Sequence, residues 1–109
     1  MWSDYLRTAD INISASGDNT IVSAPTAGFI AIDFITFLPT SAVSVQIKNG
    51  TTSIGGPLPL DAKQPVTLEN TIKNLNGIIT CSTGNAFILN LGSAVQVGGF
   101  VRYRVVDGS

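Results

Sequence analysis

Short runs of β-branched and aromatic residues recur along this chain, each closed by a cluster of Gly, Pro, Asn or Asp. That punctuation marks strands joined by turns, and it leaves almost no stretch with a helical period. Ile11 and Ile13 alternate with Asn12 and Ser14, and Ser16-Gly17-Asp18-Asn19 reads as a turn into a strand at Thr20-Ile21-Val22-Ser23. Phe29 to Leu38 is the longest apolar run and ends at Pro39. Val43, Val45 and Ile47 alternate with Ser44, Gln46 and Lys48, which predicts one buried and one wet face. Asn49-Gly50 suits a hairpin turn because both residues tolerate positive φ, and Thr51 to Ile54 returns as a short strand.

The segment Gly55-Gly56-Pro57-Leu58-Pro59-Leu60 carries two prolines that cannot donate to a ladder, so it suits an edge or a sheet-to-sheet connection. Further strands are predicted from Val66, over Ile78 to Ser82, over Ala86 to Leu91 and, after Gly98-Gly99, over Phe100 to Val106. Between Glu69 and Asn76, Ile72 and Leu75 have the spacing of one helical turn, whereas Asn70, Asn74 and Asn76 favour an irregular loop. About eight strands at this spacing predict an all-β, antiparallel, jelly-roll-like sandwich. The expected organisation is one domain over residues 10–109 with an extended arm over residues 1–9.

Composition narrows the function. The chain has 109 residues and a net charge of −1, with 12% of residues charged. That is about half the globular norm of ~25%, which argues against an electrostatic nucleic-acid binder. With no His and one Cys, Cys81, the chain has no intrachain disulfide, no zinc site of the usual ligands and no imidazole for acid–base chemistry. No apolar run reaches the ~18–20 residues of a membrane helix, and the N-terminus lacks a signal-peptide pattern. The expectation is an intact soluble protein with no cofactor, no membrane partner and no small-molecule substrate.

The run from Phe29 is apolar on both faces. Ile30, Ile32, Phe34 and Leu38 fall on one side of a regular strand, and Phe29, Ala31, Ile35 and Phe37 on the other, interrupted by Asp33. A two-sheet sandwich covers only one face, so a neighbouring subunit is expected on the second. Phe29, Ile35 and Phe37 are the candidate subunit face. In the last strand Val101, Tyr103 and Val105 read as core, while Phe100, Arg102, Arg104 and Val106 share the other side. Arg102 and Arg104 point the same way. They would pair with Asp33 of the same or a neighbouring subunit, bind an acidic partner, or form a solvated strand face with weak ion pairs. Trp2, Tyr5 and Leu6, large apolar groups ahead of the first strand, either fold back or, as favoured here, anchor on a neighbour.

Other chemistry is poorly supplied. Asp10, Asn12, Asp18 and Asn19 form an oxygen-rich cluster, but their spacing matches no calcium loop, and turn and strand-end roles account for them. Cys81 alternates with Ile79 and reads as a small core hydrophobe, with no base of the usual kind to activate it. The carboxylates Asp4, Asp10, Asp18, Asp33, Asp61, Glu69 and Asp107 lie mostly in turns and tails, so a glycosidase pair is disfavoured.

The order of pieces carries a resemblance. Gly17-Asp18-Asn19-Thr20-Ile21-Val22, the strand from Phe29, the run Val43 to Gly50, Gly55-Gly56-Pro57-Leu58-Pro59-Leu60, and Ser82 to Leu91 with Ser93 to Tyr103 resemble small β-sandwich virion proteins of tailed bacteriophages. That group includes head decoration, or cement, proteins. The likeness spans about residues 10 to 106 and leaves the Trp2 to Ala9 arm outside. It implies a jelly-roll-like homotrimer, made in the host cytoplasm and seated on the capsid between major capsid proteins, with no catalytic residues. A tail-fibre or baseplate component binding a host glycan is the alternative, with Trp2, Tyr5 and Tyr103 as its only polar-tipped aromatics. A small hydrolase is a third and weaker one.

Overall fold

The structure, a computed structural model, describes residues 6–71 and 77–106. Among the described residues there are nine strands and no helix: β1 (Arg7–Ile13), β2 (Gly17–Val22), β3 (Phe29–Pro39), β4 (Val43–Asn49), β5 (Thr52–Leu60), β6 (Val66–Glu69), β7 (Ile79–Cys81), β8 (Phe87–Leu91) and β9 (Val97–Val106). They form two antiparallel sheets, ordered β1-β9-β3-β6 and β2-β8-β4-β5, with β7 added beside the first half of β3. The chain passes back and forth between the sheets, so β1 and β9 pair in one sheet while β2 and β8 pair in the other. This is the jelly-roll arrangement of a double-sheet sandwich, with β7 the strand beyond eight.

Alternation builds the core. Ile11, Ile30, Ile32, Ile35, Phe37, Val97 and Val101 face inward from the first sheet. Val22, Val45, Ile47, Phe87, Leu89 and Leu91 meet them from the second. Each is 7% exposed or less, and burial of a side chain this size contributes roughly 1.5–3 kcal/mol. The prolines of β5 lie on the edge strand of the second sheet, where their missing donors leave no gap in the ladder.

Several boundaries shift from those expected. β1 begins at Arg7, because Arg7, Thr8 and Ala9 pair with Tyr103, Arg102 and Val101. Gly17-Asp18-Asn19 is strand rather than turn, since it pairs with Leu91, Asn90 and Leu89. In the β4–β5 hairpin Asn49 pairs with Thr52, so the two-residue loop is Gly50-Thr51. Gly50 alone takes positive φ (61°), which is the demand of a turn with Gly at its first central position. Asn49 instead ties this hairpin to the next turn, accepting from the Ser82 and Asn85 nitrogens at 3.1 and 3.0 Å. The segment holding Ile72, Asn74, Leu75 and Asn76 lies outside the described residues.

The change that matters most is in β3. Ile32 pairs with Tyr103 and Phe34 with Arg102, so Asp33 is an extra residue, a β-bulge, opposite β9. A bulge reverses the alternation. Even-numbered Ile30 and Ile32 point inward before it, and odd-numbered Ile35 and Phe37 point inward after it. The bulge therefore re-sorts the two apolar faces read in the sequence: Ile30, Ile32, Ile35 and Phe37 point inward, and Phe29, Ala31, Phe34 and Leu38 outward. Ile35 and Phe37, expected on a subunit interface, are 0% and 1% exposed in the core of their own chain, a correction to that expectation.

Candidate functional site

The outer face of the first sheet is where the remaining candidate residues gather. Register sets them in rows across β1, β9, β3 and β6: Thr8, Arg102, Phe34 and Glu69 in one, and Asp10, Phe100, Thr36 and Thr67 in the next. Directly paired residues on antiparallel strands share a face, so each row projects to one side. Phe34 and Phe100 make a tilted ring contact with centroids 5.6 Å apart, and Leu38, further along β3, is 41% exposed. Thr36 and Thr67 join hydroxyls at 3.1 Å between the aromatic pair and the β6 edge.

At the bulge, Asp33 is held by its own chain. Arg104 Nε donates to Oδ2 at 2.5 Å and Nη2 to Oδ1 at 3.0 Å. Asn70 adds Nδ2 to Oδ1 at 3.0 Å and its backbone N–H to the Asp33 carbonyl at 2.8 Å. Burial alone would raise the Asp33 pKa, but the Arg104 and Asn70 hydrogen bonds and the Arg104 charge outweigh it and hold the carboxyl below its ordinary value. Gly77 passes this point with φ 74°, and a Cβ there would stand 2.5 Å from the Ile32 carbonyl oxygen, so the approach of the chain to the bulge requires glycine. The two arginines thus separate in role. Arg104 pins the bulge, while Arg102 is exposed and makes no ion pair among the described residues.

The other predicted residues fall as follows. Phe29 is half-buried at the start of β3, opposite Val106, on the outer side. Leu6 is 51% exposed, and Trp2 and Tyr5 lie outside the described residues. Tyr103 faces the core side and packs on it, which removes it from an outer aromatic platform. Phe34 and Leu38, not chosen as subunit-face residues from the sequence, take the outward places left by Ile35 and Phe37. No signal in the sequence separates them, because bulky residues occupy both odd and even positions after Asp33.

The oxygen-rich cluster disperses. Asp10 and Asn12 lie on β1, whereas Asp18 and Asn19 lie on β2 of the other sheet. Among the described residues no three His, Cys, Asp or Glu converge as a metal site needs. Asp18 accepts from Asn90 at 2.7 Å and Lys48 at 3.0 Å, and these hydrogen bonds hold its carboxyl below the ordinary value despite some desolvation. Cys81 is fully buried, and burial pushes its thiol up to about 11. An open cleft of about 460 Å³ lies where β4, β5 and the β8–β9 connection meet, lined by Ser44, Pro59, Asp61 and Ser93 among others.

These arrangements anchor strands and bury a thiol as a hydrophobe. The outer face of β9 and β3 differs, since it presents an aromatic pair, an exposed leucine and an arginine with no ion pair among the described residues side by side. Compared with known proteins, the chain matches no family model, no curated protein and no solved structure.

Proposed function

We propose that the chain is a non-enzymatic structural subunit of a tailed-phage virion, a head decoration (cement) protein. As a homotrimer it binds the outer surface of the head and stabilises contacts between major capsid proteins. The observation that carries this is the outward apolar set of Phe34, Phe100 and Leu38, held on a jelly-roll sandwich. A face of this kind gains free energy when a neighbour covers it, at roughly 25 cal/mol per Å² of apolar surface. Repeated over many copies on one shell, individually weak contacts add up to a large resistance to rupture. The order of turn and strand motifs from Gly17 to Tyr103 supports a virion role through its resemblance to the phage proteins.

The test is a cryo-electron reconstruction of the parent particle. Density for this sandwich on the head, at junctions of the major capsid protein, is the expected result. Density on the tail overturns the proposal and favours a fibre or baseplate component. Particles assembled without the protein should also release their DNA at a lower temperature than complete ones.

A further inference from the structure

We infer that the outer face of β9, β3 and β6 is a self-association surface, covered by a second copy of this chain, with Arg102 of one copy paired to Glu69 of its neighbour. The register places Arg102, Phe34 and Glu69 side by side on β9, β3 and β6. Arg102 and Glu69 therefore stand two strands apart, about 10 Å, with the Phe34 ring between them. Both are exposed, and neither makes an ion pair among the described residues.

An unmatched cation and an unmatched anion flanking an apolar centre are complementary to another copy of themselves. Across a two-fold axis one neighbour supplies Glu69 to Arg102 and Arg102 to Glu69, whereas in a ring of three one neighbour supplies Glu69 and the other Arg102. Each pairing lays the apolar centres of the two faces together, so Phe34, Phe100 and Leu38 leave water as the charges meet. A net charge of −1 per chain gives the copies almost no long-range repulsion to overcome. Asp33 and Arg104, already satisfied within the chain, take no part.

This deepens the decoration-protein proposal and rests on it for one point, that copies associate. The experiment is sedimentation equilibrium on the full chain and on two variants, with far-ultraviolet circular dichroism to show that each remains a folded β protein. The unaltered chain should be oligomeric. Arg102→Glu should weaken association about tenfold or more, because it replaces an attraction by a like-charge clash. Arg102→Glu combined with Glu69→Arg should restore association to near the original strength.

Three results would overturn the inference: a monomeric unaltered chain, Arg102→Glu associating as before, or a charge swap that fails to restore. A monomer would leave the face to a different protein. An assembly of two copies that obeys the charge swap supports the inference while overturning the trimer, and an oligomer absent from the head overturns the decoration role alone.

Discussion

Arg104 grips Asp33 with two nitrogens from the neighbouring strand, Nε at 2.5 Å and Nη2 at 3.0 Å, and so fixes the one residue of β3 that has no partner on β9. The pair sits where the inward face of β3 changes parity, so its role is to hold the register that sends Ile35 and Phe37 into the core. Asp33→Ala removes an acceptor from Arg104 and Asn70 in a partly buried site. It should cost about 1–3 kcal/mol in denaturant unfolding. Because the partner is in the same chain, the oligomeric state should not change, and a folded monomer produced by this substitution would contradict the assignment.

Acid should weaken the fold through the same group. The folded pKa of Asp33 lies below its unfolded value, so its stabilisation is fully present above the unfolded value, about 4, and is lost as pH falls through the folded one. Asp18 shifts in the same direction, with the same sign. Unfolding midpoints should fall on acidification below about pH 4, and Asp33→Asn should flatten that part of the profile.

Alkali acts through Cys81. Its folded pKa is raised from 9.0 to about 11, so the folded state holds the thiol proton more tightly. The stabilisation is present below pH 9 and declines as pH rises toward 11, by an amount on the order of 2–3 kcal/mol at full effect. Cys81→Ala should remove this slope, and in the native protein the thiol should react with alkylating reagents only through unfolding.

Adjacent glycines in β9 should respond oppositely to alanine. A Cβ on Gly99 would stand 2.0 Å from the Thr36 carbonyl oxygen and 2.7 Å from Phe37 Cα, both backbone atoms that cannot give way cheaply. Gly99→Ala should therefore cost about 3 kcal/mol or more. On Gly98 the nearest atom is the Ile11 carbonyl oxygen at 3.9 Å, so Gly98→Ala should lie within about 0.5 kcal/mol of the original. Thermal unfolding of the two variants makes the comparison.

Phe37 and Phe34 separate core from surface on one strand. Phe37 is 1% exposed, and its truncation to Ala should cost about 3–5 kcal/mol. Phe34 is half-buried on the outer side, so Phe34→Ala should cost the isolated fold much less while weakening association of the copies. Equal losses of fold stability would refute the bulge geometry.

Local chemistry in the sequence determined the fold class. Alternation in Val43 to Ile47 and Phe87 to Leu91 selects strands with one buried face, and turn clusters separate them, so an all-β sandwich follows from periodicity alone. Cys81 as a core hydrophobe and the prolines of β5 at an edge follow in the same way. What only the tertiary structure decided was which side of β3 is which. One unpaired residue reverses every later side chain, and whether Asp33 is paired or bulged depends on Tyr103 and Arg102 of β9 and on Arg104 and Asn70, all distant in sequence. For that reason Ile35 and Phe37 read as an interface and proved to be core, leaving Phe34, Phe100 and Leu38 on the outer face of the sheet.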